Sequence, residues 1–376
     1  MTAAASAEAS LERAQRVAAE LREREVDLLL VASLVNVRYL TGFTGSSALA
    51  LIAAEEAEPA RRVGHRFLTD FRYKTQSAEQ VPDAFEREIV AGKLIEAAAA
   101  PLPGASGRLG FDETSLTVSE HARLRELLGA QWELVPCGGI VERLRAVKDS
   151  GELARIRAAT ELSEQALTSV LEDGIVHRTE RDVAIELELR MRRLGAEAPS
   201  FPPIVAAGAH GALPHAEPRD LQIPADVLVT IDWGALHEGY CSDCTRTYAT
   251  GEGISTEARE VYELVRSAEE QSVAAVKAGP CGRELDGVAR VVIERAGHGE
   301  HFGHGLGHGV GMEIHEGPRL SRTAGEEPLR AGNVVTIEPG VYLPDRLGVR
   351  IEDLVVVTGD GCDVLTSLSK ALTVVA

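Results

Sequence analysis

Positive charge is what this chain of 376 residues is short of: 39 Lys and Arg face 58 Asp and Glu, a net charge of −19. A surface of that sign repels nucleic acid and anionic membranes, which leaves small molecules and short peptides as the expected partners. Cysteine is scarce too. Five thiols, at 137, 241, 244, 281 and 362, are too few for a disulfide framework in a chain this long, so a reducing cytoplasm is the expected compartment. Long apolar runs are missing; stretches such as "LLLVASLV" fall well short of the roughly 20 residues that cross a bilayer. The opening "MTAAASAEASLERAQRVAAELRERE" interleaves acids and bases where a secretory signal needs a basic segment before an apolar one, and none is expected.

What is present is ample core material, 44% hydrophobic residues, in a chain long enough for two domains. From residue 27 apolar runs ("DLLLVAS", "SALALIAAE", "RFLTD") alternate with turn-rich and helical stretches as far as "WELVPCGGIV", which predicts an α/β domain over residues 1–140. A second domain, 141–376, opens on a long helix that Asp149 or Ser150 is placed to cap. It runs one programme twice. Helices near 151–172 and 179–194, the second opened by the Thr179–Asp182 capping spacing, precede the strands "PPIVAAG", "VLVTIDWG" and "GYCSDCTRTYA". Helices near 256–277 and 284–296 then precede "FGHGLGHGVG", "NVVTIEPGVYL" and "VRIEDLVVVT". The repeat predicts a pseudo-symmetric α+β domain with curved sheets facing each other and helices outside.

"FGHGLGHGVG" places glycine at every second position from Gly303 to Gly311. It never offers the G-x-G-x-x-G register of a nucleotide-phosphate loop, and this much glycine argues against a helix carrying two histidines. In an extended chain, alternation puts His304, Leu306, His308 and Val310 on one face and leaves the other bare for close approach of a second backbone. The two histidines are then roughly 13 Å apart, and both reach one small centre only if the chain bends between them.

Four acids interrupt the most apolar strands: Asp232, Asp243, Glu338 and Glu352. Acids are depleted in strands and rarely buried unpaired. Taken singly, each reads as a strand-end carboxylate facing water or as an ion-pair partner. Four converging from two halves would repel unless protonated or holding cations. An oxygen-rich set with one histidine suits manganese, cobalt or iron in a paired site better than structural zinc. Two divalent ions balance four carboxylates, and a hydroxide bridging them is a nucleophile near neutral pH. "CSDC", Cys241 to Cys244, is a lone C-x-x-C on what reads as a single strand, which sends its thiols to opposite faces.

The chain resembles the proline-specific metallopeptidases of the pita-bread fold, Xaa-Pro dipeptidase (prolidase) and aminopeptidase P. "VRYLTGFTGS" and "FLTDFRY" are similar to that family's N-terminal domain, and "LRAVKDSGELARIRAATELS" to the start of its catalytic domain. "IVAAGAHGALPHAEP", "IDWGALHEGYCSDCTRTY", "GHGLGHGVGMEIHEGPRLS", "TIEPGVYLP" and "GVRIEDLVVVT" follow in the family's order and spacing. The resemblance implies an exopeptidase that cleaves the Xaa-Pro bond of dipeptides or short peptides with two divalent ions per chain, manganese with cobalt or zinc as alternatives. It implies that Asp232 chelates one metal, His308 and Glu338 the other, and Asp243 and Glu352 bridge both. His215, His304 and His315 would surround the scissile bond, and Glu338 would shuttle the proton to the proline nitrogen. Arg319 resembles an arginine that meets the substrate carboxylate. Tyr342 and Arg350, beside the metal glutamates, are expected either to orient ligands or to touch substrate. His298 and His301 match nothing and are expected at the surface.

Methionine aminopeptidase shares the ligand set but normally lacks the N-terminal domain, creatinase-like hydrolases lack the ligands, and some pita-bread proteins are metal-free binding modules. The sequence leaves dipeptidase and aminopeptidase P open. A homodimer, the commonest soluble assembly, is expected.

Overall fold

The computed structural model describes residues 3–54, 60–102 and 106–375. They form two compact units, residues 1–145 and 146–376. In the first, β1 (Leu28–Val31), β2 (Ala48–Ala53), β3 (Arg66–Asp70), β4 (Glu86–Val90), β5 (Gly107–Phe111) and β6 (Trp132–Pro136) form one mixed sheet ordered β4-β3-β2-β1-β5-β6. The central strands β1 and β2 are buried at every residue, which is why they read as unbroken apolar runs instead of alternating ones.

The second unit opens on the helix Ser150–Glu172. Asp149 accepts from the Glu152 amide at 2.8 Å, and Glu152 returns the bond to the Asp149 amide at 2.9 Å, a reciprocal cap that fixes where the helix begins. The helix Glu180–Arg193 starts from Thr179, whose hydroxyl accepts from the Asp182 amide at 3.0 Å. Then come β7 (Ala198–Pro199), β8 (Ile204–Ala207), β9 (Leu228–Trp233), β10 (Ala235–His237), β11 (Tyr240–Cys241) and β12 (Cys244–Ala249). The order recurs with the helices Thr256–Ala275 and Gly282–Arg295. They are followed by β13 (Gly307–Gly309), β14 (Glu316–Leu320), β15 (Val334–Ile337), β16 (Gly340–Leu343), β17 (Leu347–Arg350), β18 (Asp353–Val357) and β19 (Cys362–Val364). Antiparallel sheets β12-β9-β8 and β14-β13-β15-β18-β19 carry the two halves, flanked by the small sheets β11-β10-β7 and β16-β17. Apolar residues of the helix pair Thr256–Ala275 and Gly282–Arg295 pack on the second half's strands in one cluster that includes Val265, Leu285, Val335 and Val355. The halves are stitched together where the Glu352 amide donates to the Thr245 carbonyl at 3.1 Å and the Thr247 hydroxyl donates to the Arg350 carbonyl at 2.9 Å. No helix among the described residues is long and apolar enough to cross a membrane.

Two local expectations fail. The stretch from Gly239 to Ala249 is not one strand: it breaks at Ser242 and Asp243, between β11 and β12. Gly234 faces the break, where any Cβ would stand 2.0 Å from the Ser242 carbonyl oxygen. The glycine comb is extended only over Gly307–Gly309, with a register shift between His308 and Gly309. Its four side chains therefore do not share a face. Leu306 joins the apolar cluster of the second half and Val310 another, while His304 and His308 line a cavity.

Candidate metal centre and active site

The cavity, about 480 Å³, lies within the second unit and falls in the range of small-molecule sites. Asp232, Asp243, His308, Glu338 and Glu352 all line it, with His215, His304, His315 and Arg350. Each acid arrives by a different route. Asp232 is in β9, opposite Thr245 of β12. Asp243 occupies the break before β12, Glu338 directly follows β15, and Glu352 directly precedes β18. His308 is the middle residue of β13. The comb brings it there because Gly307 lies against β15, where a Cβ would meet the Thr336 carbonyl oxygen at 2.0 Å.

The acids converge. One oxygen from each of Asp232, Asp243 and Glu352 lies within 4.8 Å of the others. His308 Nε2 is 3.4 Å from Glu338 Oε1 and 3.6 Å from Asp243 Oδ2. Its Nδ1 is 3.1 Å from the Gly309 carbonyl oxygen, which must accept, so the proton sits on Nδ1 and the Nε2 lone pair faces the carboxylates. Burial holds the imidazole down at about 4, so it is neutral at physiological pH and able to ligate. Asp243 and Glu352 are pushed well above the usual carboxylate range, first by burial and then by neighbouring carboxylates. Glu338 is raised to about 8, also by burial first. Among the described residues, Arg350 is the only Arg or Lys that lines this cavity. One guanidinium cannot neutralise four carboxylates.

Whether a cation fits can be tested on the donor set itself. Asp232 Oδ2 accepts from Arg350 Nη2 at 2.6 Å, but its Oδ1 is buried and has no hydrogen-bond partner among the described residues. Thr245 donates to Glu352 Oε2 at 2.8 Å, and Thr336 donates to Glu338 Oε1 at 3.2 Å, each orienting one oxygen and leaving the other. Aimed, under-satisfied carboxylates around a neutral imidazole are what oxygen-preferring divalent ions require. The residues fit.

The remaining expected residues sort by contact. His304 has both ring nitrogens engaged, Nδ1 with the Gly305 carbonyl at 2.8 Å and Nε2 with the Tyr342 hydroxyl at 2.9 Å. Burial, then Arg350, lowers it to about 4. Tyr342 does not line the cavity; its hydroxyl accepts from Arg350 Nη1 at 2.9 Å and so ties Arg350 to His304. His315 is exposed and packs edge-on against His308, ring centroids 4.4 Å apart. His215 is exposed on the cavity wall and hydrogen-bonds nothing among the described residues. Arg319 stands opposite His308 in the β13–β14 ladder, exposed and outside the cavity lining. His298 and His301 are half-buried, with Nδ1 atoms 3.1 Å apart, and take no part. The C-x-x-C thiols are buried and separate: Cys241 Sγ faces the Met312 carbonyl at 4.0 Å and Cys244 Sγ the Glu352 carbonyl at 3.6 Å.

Sequence reasoning missed Thr245 and Thr336, although each lies two residues from an acid, the spacing that returns a strand to the same face. It also missed the apolar wall of Phe201, Pro202, Pro203 and Ile204. A further buried network lies behind Glu352. Arg246 donates to the Glu352 carbonyl, to Asp353 Oδ1 at 2.7 Å and to the Leu368 carbonyl at 2.7 Å. Lys370 joins Asp353 Oδ2 at 2.6 Å to Glu269 Oε1 at 2.9 Å.

Residues 154–359 match metallopeptidase family M24, and residues 13–147 match the creatinase/prolidase N-terminal domain. An uncharacterized peptidase of Bacillus subtilis is 41% identical over 92% of this chain and 95% of its own length. The solved Xaa-Pro dipeptidase from Bacillus anthracis superposes with a TM-score of 0.90 at 36% identity, covering 97% of this chain and 100% of that one. The X-Pro aminopeptidase from Thermotoga maritima superposes with a TM-score of 0.85 at 35% identity, over 93% and 98%.

Proposed function

The chain belongs to metallopeptidase family M24, with the pita-bread catalytic fold behind a creatinase/prolidase-type domain, and on that premise we propose that it is a manganese-dependent Xaa-Pro dipeptidase. The observation that carries this reading is the convergence of four carboxylates and the His308 lone pair on one cavity, with Asp232 Oδ1 left without a partner among the described residues. Asp232 would hold one ion, His308 and Glu338 a second, and Asp243 and Glu352 both. Two such ions supply Lewis acidity and a water that loses its proton near neutral pH.

The chain's own groups do the rest. The bond before proline is a tertiary amide without an N–H, so recognition falls on its carbonyl oxygen and on the ring. His215, His304 and His315 surround that carbonyl; His215, with both nitrogens open, can donate to the developing oxyanion without breaking another bond. Tyr342 and Arg350 hold the His304 ring as an oriented wall. As water adds to the carbonyl carbon, Glu338 takes its proton, and as the C–N bond breaks Glu338 delivers that proton to the proline nitrogen. Arg319, paired with His308 across the β13–β14 ladder, would meet the proline carboxylate from outside the cavity lining.

The likeness to the Thermotoga maritima aminopeptidase favours a second reading, cleavage of the same bond in longer peptides. The five free cysteines support a reducing cytoplasm, and a homodimer is the assembly proposed. The deciding assay is Ala-Pro against Ala-Pro-Ala with Mn²⁺ present. Hydrolysis of the dipeptide alone supports the dipeptidase, equal rates the aminopeptidase, and no cleavage of either removes both.

A further inference from the structure

His215 has no hydrogen-bond partner among the described residues, so no polar contact of its own holds the ring and its placement follows the path of its backbone. That backbone belongs to the segment 208–218, which contributes Pro214, His215, Ala216, Glu217 and Pro218 to the cavity wall. One side chain grips both ends of the segment. Glu180, the first residue of the helix Glu180–Arg193, is 1% exposed. At the near end its Oε1 accepts from the Ala207 amide at 2.9 Å, and the His210 ring Nδ1 lies 2.9 Å from its Oε2. At the far end it accepts from the Arg219 amide at 3.0 Å and, through both oxygens, from the Arg219 guanidinium at 3.1 Å. A third tether holds the middle, where Arg350 Nη1 donates to the Pro214 carbonyl at 3.1 Å.

A buried carboxylate taking this many donors is unusual in cost and in reach. Burial alone would raise its pKa; the Arg219 side chain, the Ala207 and Arg219 amides and the His210 ring outweigh that and keep it ionised. The N-terminus of its own helix adds favourable dipole. The three partners of Glu180 itself, Ala207, His210 and Arg219, are not among the residues that line the cavity.

We propose that Glu180 is a positioning residue that clamps both ends of the 208–218 segment and thereby sets His215 against the substrate carbonyl. The catalytic half of this rests on the function proposed above; the clamp itself does not. Misplacing a group that stabilises the transition state by about 1 Å costs up to roughly hundredfold in rate. Glu180→Ala should therefore lower kcat by roughly ten- to hundredfold with little change in KM, while manganese content stays at the wild-type value.

The test is a double-mutant cycle on the full chain with His215→Ala, read beside amide hydrogen exchange of the metal-free protein. If Glu180 acts through His215, Glu180→Ala costs little further turnover once His215 is gone; multiplying losses overturn the proposal. Exchange should quicken in 208–218 and not in the Ser150–Glu172 helix, and unchanged exchange there also overturns it. Arg219→Ala removes the two guanidinium bonds but keeps the residue 219 amide bond to Glu180, so it loosens only the far end and serves if Glu180→Ala does not fold. It should quicken exchange at 215–217, the amides between Pro214 and Pro218, and show the same non-additive loss with His215→Ala. Should the wild type cleave no Xaa-Pro substrate, the exchange result still decides the clamp, and only the function proposed above falls.

Discussion

Arg350 Nη2 donates to one oxygen of Asp232 at 2.6 Å, while the other oxygen of the same carboxylate is buried with no partner among the described residues. The pairing fixes the side chain's direction and leaves one lone-pair edge aimed into the cavity. Arg350 is also the cationic group of that cavity. In the metal-free protein it carries the burden that cations would otherwise share.

Replacing it should therefore hurt the apo form most. Removing one partner of a buried ion pair costs about 3–5 kcal/mol. For Arg350→Met, the drop in Tm should be clearly larger in EDTA than with excess Mn²⁺, measured by calorimetry on the two forms. Equal drops would mean that Arg350 supports packing and not the charge balance.

Metal stoichiometry discriminates among the acids. Elemental analysis after dialysis against Mn²⁺ should approach two ions per chain. Asp243→Ala and Glu352→Ala should lose both, because each is proposed to bridge, whereas Asp232→Ala should weaken mainly one. Identical losses from all three would refute the assignment of bridging and terminal roles.

The two comb histidines should part company. His308→Ala loses metal and activity together, since its Nε2 faces Glu338 and Asp243 at 3.4 and 3.6 Å. His304→Ala keeps its metal and loses turnover by up to roughly hundredfold, the scale of a substrate misplaced when the wall that Tyr342 and Arg350 hold is removed. Paired metal analysis and steady-state kinetics check this.

Stability of the metal-free protein should fall as pH rises from about 6.5 to about 8. The sign follows from the shifts. Glu338 and Glu269 are each raised to about 8 by burial, so over that window the native state holds protons that the unfolded chain has lost. His304 and His308, lowered to about 4, push the other way, but only below the ordinary histidine range. Melting temperatures across pH in EDTA should show the decline, and Mn²⁺ should flatten the share due to Glu338 while leaving that of Glu269. A rise over this interval would contradict the carboxylate shifts.

Substrate length tests Arg319. A charge-assisted grip on the proline carboxylate contributes about 1.5–3 kcal/mol, so amidating Ala-Pro should cost roughly tenfold or more in kcat/KM. Arg319→Ala should lose the same factor on Ala-Pro and little more on the amide. If Ala-Pro-Ala and Ala-Pro are cleaved equally and suffer equally from the substitution, Arg319 is structural.

The repeated helix–helix–strand order was legible because it rests on local signals: Asp149 and Thr179 cap helices where capping residues stand, and strand burial follows apolar runs. The four acids were visible as exceptions to strand composition, and the structure brings them to one cavity. What depends on pairing between distant segments was not legible. Leu306 leaves the face of His308 because the chain bends before β13 begins at Gly307, and Val310 because β13 shifts register against β14 after His308, neither of which a period-two count can show. Asp243 turns to its neighbours at a strand break opposite Gly234, where the sequence reads as one unbroken strand. Glu180 looked like any helix-opening acid, since its partners begin 27 residues later.

The network behind Glu352 has a consequence in time. Glu352 is held at its backbone by Arg246, Arg246 is held by the Leu368 carbonyl, and the neighbouring Asp353 is neutralised by Lys370. During synthesis the proposed ligands have all been made once residue 352 is added, yet the pieces that hold the last of them arrive some of the latest. A ribosome-bound chain stopped before residue 368 would possess every proposed metal ligand and still lack the bracing of Arg246 and Asp353 behind Glu352, so that side of the centre is complete only once Leu368 and Lys370 have been added.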